Sequence, residues 1–264
     1  MKKVSISGKG GVGKSVVITL LANVLSEAGY AVLTVDADES NPGLYRMLGF
    51  DRAPRPLMDM FGGEKRVIGE IQQKLASGGP GVRAGSSVAE TISLDTIPKE
   101  YVLEKNSLKL LTVGKITTAF EGCACPMAEV IKLFLERLAL KEREIAIVDM
   151  EAGVEHFGRG VEKSIDTVLV VVEPSFESVA LAAKVNFLAQ GTGVANVRAI
   201  LNKVPSDEVD KMLREEIEKR GIEVIGTIYY DPKISEACLR GKPLDESAAK
   251  NSMKQIAAAL LGQS

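Results

Sequence analysis

No stretch of the chain constrains its fold more than Gly8-Lys9-Gly10-Gly11-Val12-Gly13-Lys14-Ser15. It fits G-x-x-x-x-G-K-[ST], a pattern that carries chemistry when it joins a strand to a helix. Both neighbours are legible. Val4 to Ser7 is a short β-rich run, and a helical apolar pattern extends from about Ser15 to Ala28, with Gly29 as its stop signal. Glycines let the backbone curl until its N–H groups converge on phosphates, and the helix N-terminus adds partial positive charge. Lys14 then reaches the outer phosphates and the Ser15 hydroxyl ligates Mg2+, so the expected ligand is ATP with magnesium. Gly8, Gly10, Gly11, Val12, Gly13 and Val16 supply backbone to the same cradle. The bland alternative is a glycine turn with no ligand.

Short β-rich runs alternate with helical patterns along the rest of the chain. Further strands are predicted at Ala31–Val35, Leu108–Val113, Ile145–Val148, Thr167–Val172, Val197–Leu201 and Val224–Tyr229. Helices are predicted from Met127 to about Leu140 and onward from Ser235 and Ser247. Strands that are apolar throughout imply an α/β fold: a mostly parallel central sheet with helices on both faces. With 264 residues, 45% of them hydrophobic, the expectation is a single P-loop domain over 1–264. An insertion is placed at about 51–105, with a helix near Arg66 to Leu75 and a mobile loop after it. Net charge is −2 with scattered Lys and Arg, which argues against a nucleic-acid groove. No targeting segment is visible and the longest apolar run, near Val168 to Val172, is far too short to span a membrane. The expectation is therefore a cytoplasmic chain with reduced thiols.

Carboxylates follow the predicted strands where an open parallel sheet places its ligand crevice. Asp36 and Asp38 end the second strand. Asp36 is expected to hold the magnesium shell through water and Asp38 to orient the attacking water; the other reading is a helix cap near Asn41 and Pro42. Ile145-Ala146-Ile147-Val148-Asp149 is an apolar strand ending in an acid, which makes Asp149 a third magnesium-shell candidate. Met150-Glu151-Ala152-Gly153 follows as a switch whose glycine N–H can sense the terminal phosphate. His156, the sole histidine, either reports nucleotide state, binds metal or is structural. Asn202 and Lys203, after a late strand, and Asp231-Pro232, after the next, are candidate adenine contacts. Plain loop residues are the alternative there.

Gly122-Cys123-Ala124-Cys125-Pro126 lies outside the nucleotide motifs. In a cytosolic chain such cysteines point to metal or redox work. Two thiolates cannot complete a tetrahedral or square-planar site, but two chains on a two-fold axis place four sulfurs around one Ni2+ or Zn2+. The other reading is two small buried thiols at a helix start. Cys238, in an apolar helical setting, is read as core.

These residues together resemble a known family. The loop with Lys9, Asp36-Ala37-Asp38 and Asp149 through Gly153 look like the MinD and nitrogenase iron protein superfamily of deviant Walker A ATPases. Leu57-Met58-Asp59-Met60-Phe61-Gly62, Gly122 through Cys125, and Glu151 through Gly160 resemble its nickel-insertion branch, the CooC type of carbon monoxide dehydrogenase and acetyl-CoA synthase maturation. The resemblance implies a homodimer formed on ATP or metal binding, Lys9 reaching the partner's nucleotide as a catalytic cation, metal held by Cys123 and Cys125, and a client nickel enzyme. A solvated loop lysine is the plain alternative for Lys9. Rival classes are a MinD or ParA positioning ATPase, a nitrogenase-like iron protein and a metal-storage scaffold. The tail from Met253 to Leu261 is poor for membranes, and no cysteine follows Asp149 until Cys238. Two departures stand out: Glu39 replaces a proline common in relatives, and Val16 replaces a hydroxyl residue, which implies weaker nucleotide binding.

Overall fold

In the computed structural model, residues 2–39, 41, 43–77, 91–115, 125–154, 157, 160–194, 196–244 and 249–262 are described. The phosphate-loop motif sits between β1 (Lys3–Gly8) and α1 (Lys14–Glu27), as the sequence requires, and β2 (Ala31–Asp36) follows. Two short helices, α2 (Leu44–Met47) and α3 (Leu57–Met60), precede α4 (Glu64–Ser77), β3 (Leu103–Lys105) and β4 (Leu108–Thr112). Then come α5 (Cys125–Arg137), β5 (Glu144–Asp149), a 3-10 turn (Val161–Ser164), β6 (Thr167–Val172) and α6 (Phe176–Thr192). The chain continues through β7 (Asn196–Val204), α7 (Asp207–Glu218), β8 (Glu223–Tyr229), α8 (Pro232–Leu239) and α9 (Ala249–Leu261).

The eight strands form one sheet in the order β3-β4-β2-β5-β1-β6-β7-β8. Every pairing is parallel except β3 on β4. Burial explains the sequence pattern. In β6, Val168, Val170 and Val172 join the core on one face, while Leu169 and Val171 join the core on the other. Alternate side chains of a strand point to opposite faces, so a strand covered on both is apolar throughout. Leu57, Phe134, Val185 and Leu213 from α3, α5, α6 and α7 fill one side. Leu21, Leu44, Met253 and Ile256 from α1, α2 and α9 fill the other. β1 is central: β2 to β5 lie to one side of it, with β5 inserted between β1 and β2, and β6 to β8 run outward on the other, so the strand order reverses at β1. That reversal opens a crevice at the carboxyl ends of the strands, where the glycine loop lies.

The predicted strands and long helices are present with boundaries moved by a few residues. β3, α2 and α3 are additional, each too short to show a period. The expected insertion contains α3, α4 and β3, and Leu57, Phe61, Ile92, Leu94, Ile97 and Tyr101 anchor it in the core. The mobile loop expected after α4 falls at 78–90, outside the described residues. Among the described residues no helix is long and apolar enough to cross a membrane.

Glu162, in the 3-10 turn, is 1% exposed, and burial pushes its carboxyl from 4.5 up to about 7. Between those values the native form holds a proton that the unfolded chain has released, so stability falls as pH rises and levels off above about 7. Urea midpoints of wild type and Glu162→Gln should therefore diverge across this window, with the wild type losing more stability from pH 5 to pH 8. Parallel pH profiles would exclude Glu162 as a source of the slope.

Candidate functional site

The cradle is built where β1 ends. Gly8 has φ +151°, and a β-carbon there would stand 2.7 Å from the Val171 carbonyl oxygen, so only glycine fits between β1 and β6. Gly13, at φ +99°, lies against the Asn202 amide. Asn202 Nδ2 donates to the Val12 carbonyl at 2.8 Å and Lys203 Nζ to that of Gly11 at 2.5 Å. A register shift between Asn202 and Val204, with Lys203 at φ +57°, turns these consecutive side chains onto the loop. Lys14 opens α1 and is 7% exposed.

Beside the loop, β2 and β5 pair so that Asp36 is opposite Asp149. Their carboxylates thus leave the same edge of the sheet together. Ser15 Oγ stands between loop and acids: it donates to Asp149 Oδ2 at 3.3 Å and accepts from Asn41 Nδ2 at 2.6 Å. Burial, then the neighbouring Asp36 charge, pushes the Asp149 carboxyl up to about 7, with Lys14 acting in the opposite direction. Burial raises Asp36 to about 6 against the pull of Lys115, whose ammonium donates to Asp36 Oδ1 at 2.7 Å. Lys115 also donates to the carbonyl of Asp38, itself buried. Asp149 is fully buried and its Oδ1 has no hydrogen-bond partner among the described groups. A buried ionised oxygen without a partner is costly, and a hard divalent cation removes that cost. The donor set fits magnesium: a hydroxyl and carboxylates, all oxygen. Among the described residues no group of three or more His, Cys, Asp or Glu is placed to hold a metal by itself. Magnesium satisfies its remaining positions with phosphate oxygens and water.

Lys9 Nζ lies 3.4 Å from Glu173 Oε1, and Lys203 Nζ lies 3.1 Å from Glu173 Oε2. One carboxylate at the end of β6 thus holds two lysines on either side of the loop. Gly153, in the expected second switch, donates its N–H to the Gly8 carbonyl at 3.3 Å, which ties that switch to the loop.

A cavity of about 270 Å³ adjoins the loop, lined by Gly11, Gly13, Val16, Asn202, Lys203, Ile228, Tyr229, Tyr230, Asp231, Ile234, Ser235 and Cys238. Three of the four residues expected to contact adenine line it. Pro232 does not; it is exposed at the first position of α8, which Asp231 caps by accepting from Lys233 N at 2.8 Å. Cys238 is a correction to the sequence reading, for it is exposed and not core. No residue of α8 is fully buried, and the Ile234–Cys238 stripe faces the cavity. Partial burial there pushes the Cys238 thiol up. Helical periodicity alone cannot distinguish a stripe facing a cavity from one facing a core. Cys123 and His156 lie outside the described residues, and Cys125 opens α5 with its side chain outside them. Asn41, Lys115, Glu173 and the tyrosine-lined wall are site components the sequence did not single out.

Comparisons with known proteins agree with this architecture. The chain is 40% identical to an uncharacterized ATP-binding protein of Methanocaldococcus jannaschii, over 92% of this chain and 94% of that protein. It is 29% identical to the carbon monoxide dehydrogenase accessory protein CooC of Rhodospirillum rubrum, over 91% and 89%. The MinD cell division protein of Aquifex aeolicus shares its fold, with TM-score 0.69 and 22% identity over 100% of this chain and 98% of that one. Residues 3–244 match the CobQ/CobB/MinD/ParA nucleotide binding domain, and the chain belongs to that family.

Proposed function

We propose that this chain is an ATP hydrolase that dimerises on nucleotide or metal binding. In this reading it holds a nickel or zinc ion between the Cys123 and Cys125 pairs of two protomers and delivers nickel to a client such as carbon monoxide dehydrogenase or acetyl-CoA synthase. The observation that carries this reading is a tether. The chain leaves the carboxylate cluster at Lys115, runs through the cysteine segment and returns as α5, where the Met127 sulfur lies 3.5 Å from the place a β-carbon on Gly114 would occupy. The described residues before and after that segment, Gly114–Lys115 and Met127, thus lie close together, with Lys115 on the carboxylate cluster. Similarity to a carbon monoxide dehydrogenase accessory protein supports the client class.

In this reading the loop amides and Lys14 fix the phosphates, and Asn202, Lys203 and Asp231 face the base. Ser15, Asp36 and Asp149 hold magnesium, which supplies charge neutralisation at the outer phosphates. Asp38 orients water toward the terminal phosphorus; the water oxygen bonds to that phosphorus as its bond to the bridging oxygen breaks, giving phosphate and ADP, with the water's proton passing to solvent. Lys9 leaves Glu173 to neutralise charge on the partner's phosphoryl group. A positioning ATPase is less well supported, because α9 spends Met253, Ile256 and Leu260 on the core and has no apolar face left for a membrane.

Metal content per dimer tests the proposal. With a non-hydrolysable ATP analogue, wild type should retain about one nickel or zinc ion per two chains, and Cys123→Ser should lose it. Full metal retention by the variant would remove the thiolate site from consideration.

A further inference from the structure

Phosphate binding requires Lys14; nothing in that chemistry requires Lys115, yet Lys115 reaches into the same cluster. It follows β4 and turns back to place its ammonium 2.7 Å from Asp36 Oδ1 and against the Asp38 carbonyl. The contact is largely hidden from water, with 24% of the Lys115 side chain and 6% of the Asp36 side chain exposed. Across the strand register from Asp36 lies Asp149, whose Oδ1 is buried without a hydrogen-bond partner among the described groups. Three acids and two lysines therefore share this edge of the sheet. Nucleotide phosphates engage Lys14, and a divalent cation beside Ser15 and Asp149 brings two positive charges to the same edge of the sheet, where Lys115 already sits against Asp36. An ammonium and a divalent cation repel one another strongly at such range, the more so away from solvent.

We propose that Lys115 is a stand-in cation. It neutralises Asp36 while the metal site is empty of Mg2+ and gives up that oxygen when the magnesium nucleotide arrives. This rests on the magnesium-nucleotide reading of the site and deepens it, because Lys115 is the described residue from which the chain departs toward Cys123. Exchange of the two cations at Asp36 then makes the position of the Lys115 side chain depend on whether the magnesium nucleotide is bound. Lys115 is a positioning residue in this scheme and touches no reacting atom.

The test uses Mn2+ as a spectroscopically visible substitute for magnesium. Its affinity for the ADP-loaded protein is read from the electron paramagnetic resonance signal of free Mn2+, and metal-free ADP affinity is measured by equilibrium dialysis. Lys115→Met keeps the stem and removes the competitor, so Mn2+ should bind on the order of tenfold or more tightly, the weight of one charged hydrogen bond. Lys115→Arg should keep the weaker wild-type value, and ADP affinity without metal should change little. Should Lys115→Met destabilise the empty protein, melting curves supply a second reading: the rise in Tm on adding Mg2+ and ADP should be larger for the variant. Unchanged or weaker Mn2+ affinity, or an equal or smaller Tm increment, in a variant that still binds ADP would overturn the assignment of Lys115 alone. Failure of the wild type itself to take up ADP would bring down the magnesium-nucleotide reading as well.

Discussion

Lys14→Ala should lower the rate of phosphate release by roughly two to three orders of magnitude, the usual loss when a pre-positioned charge is taken from a developing anion. The geometry explains the size of the effect. Lys14 is the first residue of α1 and is nearly buried, so its ammonium is poorly screened by water. It also opposes the burial that raises the Asp149 carboxyl, and its removal leaves that acid harder to ionise for magnesium. Lys14→Arg should not rescue, because a planar fork does not fit a cradle shaped for a compact point charge. Single-turnover phosphate release decides the matter. Activity within tenfold of wild type would mean that the glycine loop is not the catalytic cradle.

The largest expected stability change lies on the other side of the sheet. Phe134 on α5 is fully buried in the core shared by α3, α5, α6 and α7. Phe134→Ala removes a ring from close-packed surroundings and should cost about 3–5 kcal/mol. That corresponds to a fall in Tm of roughly ten degrees for a chain of this size. The urea midpoint should fall with an unchanged slope, since the same surface is exposed on unfolding. A loss below about 1 kcal/mol would mean that α5 packs elsewhere. Phe134→Leu keeps most of the volume and should cost much less.

The fold was readable because burial on two faces forces strands such as Thr167–Val172 to be apolar at every position, and few arrangements other than a covered parallel sheet produce that pattern. β3 was not readable: its three residues are too few for alternation to show. In the site, Gly8 to Ser15, Asp36 and Asp149 stood out because each is fixed by position relative to a strand end. Lys115 and Glu173 also follow strand ends, but a single charge after a strand looks like any surface residue. Only the sheet order, which puts β4 next to β2 and β6 next to β1, brings them to the loop. Cys238 was misread for a related reason. An apolar helical stripe reports that something covers it, and here the covering space is a cavity beside the loop.

The bulge at the end of β7 has a consequence for any attempt to retune this protein. Because Asn202 and Lys203 are neighbours on one irregular turn, and both grip the phosphate loop while lining the adjoining cavity, a slip of one residue would displace both at once, leaving one of the two in the other's place and an apolar neighbour, Val204 or Leu201, in the place vacated. The lining of the cavity and the hold on the loop are mechanically geared there. Reshaping that cavity without disturbing the loop's support calls for substitutions at other lining residues, such as Ile228, Tyr229 or Ile234.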